Sequence, residues 1–95
     1  MTEKQFQDKV IAFLRSQKIY HVKVWGGGFQ TAGIPDILCC IRGKFVALEL
    51  KTEKGKPTVL QKYNIFKIQE AGGYARILRP SEFEVFKRQV LTGAI

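Results

Sequence analysis

At 95 residues the chain suits one domain with a modest core and is too short for two. It is 45% hydrophobic and 25% charged, and no apolar run approaches the roughly 20 residues of a membrane-crossing helix, which argues against a membrane protein. Sixteen Lys and Arg against eight Asp and Glu leave a net charge of +8, a field that favours a polyanionic partner, nucleic acid first, with simple solubility as the plain alternative.

From Glu3 to Gln17, Phe6, Val10, Phe13 and Leu14 recur at helical spacing behind Thr2, a residue suited to N-capping, so an amphipathic first helix is predicted. The polar start MTEKQFQDKV carries no apolar stretch of the kind that marks export, which points to the cytoplasm. Ile19 to Val24 alternates apolar and polar residues as a strand does, and WGGGFQTAG then interrupts it as a flexible loop. Two nearly continuous apolar runs follow, Ile34 to Ile41 and Lys44 to Lys51, separated by Arg42-Gly43 as in a tight hairpin. Adjacent Cys39 and Cys40 would need strained geometry to pair and have no zinc-ligand spacing, so both read as reduced core residues. A second helix is predicted from Pro57 to Ala71, stopped by Gly72-Gly73, then a short strand Tyr74 to Leu78 and a last helix opened by Pro80-Ser81. The order is α-β-β-β-α-β-α in one domain spanning residues 1–95.

The hairpin carries the chemistry. If Arg42-Gly43 is a two-residue turn, Ile41 opposes Lys44, and counting inward places Asp36 directly across from Glu49. Directly opposed side chains share a face with Cβ atoms about 4.5–5.5 Å apart, so two carboxylates would meet in a sheet otherwise built of apolar residues. A hard divalent cation such as magnesium suits that pair. Side chains alternate along a strand, so Lys51 joins Glu49 on the same face, where an ammonium can orient a nucleophile and offset charge on a phosphate. The same spacing also suits a surface salt bridge between Lys51 and one carboxylate.

The segments Gly33-Ile34-Pro35-Asp36 and Ala47-Leu48-Glu49-Leu50-Lys51 together resemble the PD-(D/E)XK nuclease superfamily. With Gln61 early in the following helix and the Gly72-Gly73 stop, nearly the whole chain is similar to the VRR-NUC family, whose stand-alone members resemble Holliday-junction resolvases. The resemblance implies an α/β, restriction-endonuclease-like fold with an αβββαβ core, a mixed central sheet flanked by helices, and here an extra C-terminal helix. It implies a metal-dependent DNA endonuclease that hydrolyses phosphodiester bonds, selective for branched or Holliday-junction DNA, in bacterial or phage replication, recombination or repair. A bacterial cell or a phage-infected host is the corresponding setting. Asp36, Glu49 and the main-chain carbonyl of Leu50 would hold Mg2+, with Mn2+ as a substitute, while Lys51 acts on the attacking water. Gln61 would join the site, and the helical rule puts it on one side with Ile65 and Ile68. The family's first-helix glutamate aligns with Gln7, and Glu3, one turn earlier, offers a carboxylate from the same face. The alternative function is a nucleic-acid-binding module that keeps this fold without cutting.

Four cations, Arg42 and Lys44 at the hairpin turn and Lys54 and Lys56 after the second strand, are candidates for phosphate contacts. WGGGFQTAG has neither GxGxxG nor a GK[ST] ending, so no nucleotide cofactor is expected. Within it Trp25 is expected to pack, with base stacking by Trp25 and Phe29 as the other reading. His21 stands alone and reads as structural. Phe83, Val85, Phe86, Val90, Leu91 and Ile95 exceed what a small core needs, which predicts a homodimer through the C-terminal helix, one active site for each strand of a branched substrate.

Overall fold

The computed structural model describes residues 1–25 and 32–95. Helix α1 spans Glu3–Ser16, strand β1 His21–Lys23, β2 Ile37–Ile41, β3 Lys44–Leu50, helix α2 Val59–Glu70, β4 Tyr74–Leu78, and α3 Phe83–Thr92 after a 3-10 turn at Pro80–Glu82. The predicted order holds. Four strands form one sheet in the order β1-β2-β3-β4, antiparallel across the first two junctions and parallel between β3 and β4. A parallel neighbour needs a crossover, and α2 supplies it.

Strand boundaries differ from the sequence expectation where proline intervenes. β2 begins at Ile37 rather than Ile34 because Pro35 has no N–H for the ladder and pushes Ile34 out of register. The chain still runs beside β1, since the Val24 amide donates to the Asp36 carbonyl at 2.8 Å. At the hairpin, Arg42 and Gly43 both take positive φ, 50° and 79°, as a two-residue turn matched to strand twist requires. α2 begins two residues later than predicted, with Thr58 rather than Pro57 at its boundary.

Alternation sorts the strands into two faces. Ile37, Cys39, Ile41, Val46, Leu48, Leu50 and Leu78 face α1 and α3 and form the core with Phe6, Val10, Leu14, Phe83, Phe86 and Val90. Edge-on ring contacts of Phe83 with Phe6 (5.7 Å) and Phe13 (6.0 Å) tie the two helices together. On the opposite face the small residues Ala47 and Ala75 are paired, and α2 lies close there. Cys40 is exposed on this second face, so only Cys39 is a core cysteine; burial, with Cys40 beside it, pushes the Cys39 thiol up to about 11. No helix among the described residues is long and apolar enough to cross a membrane.

Two further expectations are corrected. The last helix spends Phe83, Phe86 and Val90 on the core, leaving Val85 and Leu91 as its exposed apolar residues. The surplus apolar surface sits elsewhere, on Val59, Leu60, Tyr63 and Phe66 of α2, on Val22 and Phe45 of the sheet, and on Tyr20 just before β1. Trp25 does not pack into the chain; it is 74% exposed, with Lys23 Nζ 4.2 Å from its ring centre. Phe29 and most of the glycine-rich loop lie outside the described residues.

Gly33 shows why the stretch before Asp36 begins with glycine. Its φ is +78°, and a Cβ there would lie 2.5 Å from Leu60 Cγ and 2.9 Å from the Leu60 main chain. Gly33→Ala should therefore lower stability by about 2–4 kcal/mol, combining a left-handed backbone penalty with overpacking against α2. Urea unfolding checks this, and an unchanged midpoint would contradict it.

Candidate active site

The β2–β3 register pairs Ile37 with Leu48, so the next step along the hairpin brings Asp36 opposite Glu49, as counting from the turn predicts. Both lie at the end of the sheet remote from that turn. The Leu50 amide donates to Asp36 Oδ2 at 2.9 Å, which fixes the Asp36 carboxylate and places the Leu50 main chain beside it. Lys51 follows on the same side as Glu49, with Nζ 3.8 Å from Glu49 Oε2 and its side chain 15% exposed. This is not a solvated surface pair, because the carboxylate partner is buried.

Glu49 is 2% exposed, the one charged residue in the interior among those described. Burial foremost, then the charge of Asp36, then the proton the two carboxyls would share, push its carboxyl up to about 8; Lys51 pulls the other way, and Glu3 adds a small upward push. Its Oε1 is buried and has no hydrogen-bond partner. A buried oxygen left unsatisfied beside a second carboxylate is costly; a proton shared with Asp36 removes the cost in the empty site, and a hard divalent cation is a partner that removes it with both carboxylates ionised. The donor set therefore fits such an ion. Among the described residues no group of three His, Cys, Asp or Glu side chains gathers for one, so the carboxylates at this corner are Asp36 and Glu49, with the Leu50 main chain beside them. Glu3 is exposed and felt at Glu49 only weakly, and Gln7 is half-buried.

Gln61 reaches the same corner from α2. Its Nε2 donates to Glu49 Oε2 at 3.3 Å, while its Oε1 accepts from the Thr58 amide at 2.8 Å. A main-chain N–H can only donate, so this second bond settles which end of the amide faces Glu49. Thr58 Oγ1 accepts from the Gln61 amide in turn, making a capping box. Thus helix start and site are built from one side chain. The Thr-x-x-Gln spacing was present in the sequence as the signal for both the helix boundary and the glutamine's orientation.

Of the four cations expected to touch phosphate, Lys54 and Lys56 follow closely on Lys51 and are exposed. Arg42 and Lys44 are not brought to the site. Lys44 stands at the far end of β3 from Glu49, about 17 Å away along the strand at the usual rise, and Arg42 Nη1 donates to the Ile95 carbonyl at 3.2 Å. His21 bonds the Ile19 carbonyl through Nδ1 at 2.9 Å, in keeping with a structural role. Sequence reading missed Arg79 and Glu53, which organise the turn after Lys51.

Among solved structures the chain is similar to that of Archaeoglobus fulgidus Hjc, a Holliday junction resolvase from an archaeal hyperthermophile. The TM-score is 0.61 at 18% identity, over 80% of this chain and 66% of that one. The chain thus spans just under two thirds of the length of that protein. No protein-family model matches the chain, and comparison with curated proteins finds no significant match. The structural likeness shows the fold, a restriction-endonuclease-like mixed sheet flanked by helices with a C-terminal helix.

Proposed function

We propose that this protein is a magnesium-dependent DNA endonuclease of the VRR-NUC type, selective for branched DNA, with Asp36, Glu49, Lys51 and Gln61 as its catalytic group. The observation that carries the reading is Glu49, buried with an unpartnered oxygen beside Asp36 and Lys51. Its likeness in fold to a Holliday junction resolvase supports the substrate class.

Asp36, Glu49 and the Leu50 carbonyl would hold the cation, with Mn2+ as a substitute for Mg2+. The chemistry such an ion would supply there is Lewis acidity towards a phosphoryl oxygen and towards water. The chain's own residues do the rest. The Leu50 amide holds Asp36 in place, Gln61 orients Glu49 from α2, and the Lys51 ammonium orients the attacking water and offsets charge gathering on the phosphate oxygens. Lys54 and Lys56, exposed just beyond, would track the phosphate backbone. The test is incubation with four-way, flap and linear DNA in Mg2+. Cleavage of the branched forms first is expected, and no cleavage of any of them sinks the reading. One observation favours a second function, a binding module that does not cut: Gln7 stands where the resembled family has a glutamate. Tight, salt-sensitive DNA binding without cleavage would select it.

The same reading includes a homodimer, through a different surface from the C-terminal helix. Phe45 borders both the apolar groove of Tyr20, Val22 and Leu38 and the groove along α2 at Asn64, Ile68 and Ala71, and Val59, Leu60, Tyr63 and Phe66 of the same helix are exposed. A second copy on this surface would give two sites related by a two-fold axis, as cutting both strands of a symmetric junction demands. The native protein should sediment at twice its 10.8 kDa chain mass. Tyr63→Glu with Phe66→Glu should make it monomeric, and a monomeric wild type would refute the dimer.

A further inference from the structure

The strongest unexplained arrangement lies where the two parallel strands end. Lys51 is one residue past β3, and Arg79 is one residue past its parallel neighbour β4. The Lys51 amide donates to the Leu78 carbonyl at 3.1 Å, so the turn that follows Lys51 is delivered onto Arg79. There Arg79 Nη1 donates to the carbonyls of Thr52 at 2.6 Å, Gly55 at 2.7 Å and Glu53 at 3.2 Å. With two N–H groups on Nη1, the longest of the three is a shared bond, and a charged donor makes bonds stronger than neutral ones. A second tie runs beside it, since Glu53 Oε1 accepts from the Ser81 amide at 2.6 Å and Oε2 from Ser81 Oγ at 3.0 Å. Arg79 itself is anchored by its amide to Glu82 Oε1 at 2.9 Å.

The clamped turn passes beside the site at Gly55. Its amide donates to Thr52 Oγ1 at 3.1 Å, and a Cβ at Gly55 would lie 3.5 Å from Lys51 Cδ. That is ordinary contact distance for a methyl that glycine lacks, so the main chain of the turn runs alongside the aliphatic stem of Lys51, a little further off than contact, and limits the space open to it. A lysine at a strand end has many rotamers open to it, and each one removed by a rigid neighbour leaves Nζ nearer the position beside Glu49.

Resting on the nuclease reading above, we infer that Arg79 is a positioning residue: it clamps the Thr52–Gly55 turn alongside the Lys51 stem and so aims Nζ at the reacting phosphate. It would act through Lys51 rather than on substrate or cation. Placement errors near 1 Å cost on the order of 100-fold in rate, so loosening the turn should act on the chemical step more than on binding.

The experiment compares wild type, Arg79→Lys and Arg79→Ala, with Glu53→Gln as the milder release of the same turn. Single-turnover cleavage of four-way DNA separates kcat from KM, and side-chain NMR of lysine labelled at the ε position reports the order of Lys51. For Arg79→Lys, which keeps the charge but ends one bond short of the Nη1 position that meets the three carbonyls, kcat should fall roughly 10–100-fold with KM within about three-fold. The Lys51 ε-methylene signals should average towards those of a free lysine, and the Gly55 amide should lose exchange protection, while core methyls of Leu14 and Val46 stay unshifted. Glu53→Gln should show the same pattern more weakly, which keeps the inference testable should Arg79→Ala fail to fold. An ordered Lys51 in Arg79→Lys, or a loss confined to KM, overturns the inference. If wild type does not cut DNA, the nuclease reading fails alone, and Lys51 order in the same variants still decides the clamp.

Discussion

Lys51→Ala is expected to abolish measurable cleavage of branched DNA while leaving the fold and DNA affinity nearly intact. The reason is its place in the structure: Nζ lies 3.8 Å from Glu49 Oε2 with the side chain mostly enclosed, so solvent does not replace it. Removing one preorganised donor from a developing oxyanion typically costs about 100–1,000-fold in kcat, and Lys51 would also orient the nucleophile, so the expected loss is at the upper end of that range or beyond. Asp36→Asn should be at least as severe, because it removes one of two carboxylates while keeping the oxygen that accepts from the Leu50 amide at 2.9 Å. Single-turnover rates with saturating enzyme, beside filter or gel-shift affinities, check both variants. Cleavage within about ten-fold of wild type for either would refute the assigned roles.

The second large effect is on stability. Glu49 is lifted from 4.5 to about 8, by burial first and Asp36 second, so the folded chain holds a proton that the unfolded chain releases. Below about pH 4.5 both states are protonated and Glu49 contributes no slope. As pH rises towards 8 the unfolded state loses its proton first, and stability falls until the folded carboxyl has also ionised. At about 1.4 kcal/mol per pKa unit this amounts to a few kcal/mol across the interval. In chelator, urea midpoints near pH 5, 7 and 9 should therefore decline steadily. Glu49→Gln should flatten the decline and raise stability near pH 9, at the expense of cleavage. Mg2+ or Mn2+ should restore wild type above pH 7 and leave Glu49→Gln nearly unmoved, since a cation that binds only the folded site stabilises by mass action. A midpoint independent of pH in wild type would contradict the buried, proton-holding Glu49.

The centre of this site was legible before any tertiary structure. A two-residue turn at Arg42-Gly43 sets the hairpin register, and strict alternation along a strand then dictates that Asp36, Glu49 and Lys51 share a face. Gln61 was implied by the family resemblance, with helical spacing in agreement, although its capping bond with Thr58, and hence the direction of its amide, went unread. These are relations between near neighbours in the chain or across one hairpin, where backbone geometry leaves few choices.

Other features depended on how the elements are assembled. The apolar residues of the C-terminal helix are as numerous as a subunit interface would need, yet composition cannot say that α1 and α3 pack side by side and use Phe83, Phe86 and Val90 among themselves. The exposed apolar surface instead follows from α2 lying over β3 and β4 and leaving Tyr20, Val22 and Phe45 uncovered on the same face. Trp25 is apolar enough to pack, but no element among the described residues covers it. Arg79 is the clearest case, because its partners are carbonyls 24 to 27 residues away. Main-chain oxygens are the same in every residue, so a side chain that binds them leaves no pattern in the sequence. The sequence by itself determined the two carboxylates and their lysine, through local register; which surfaces are buried, and what holds that lysine in place, only the packing of distant segments decided.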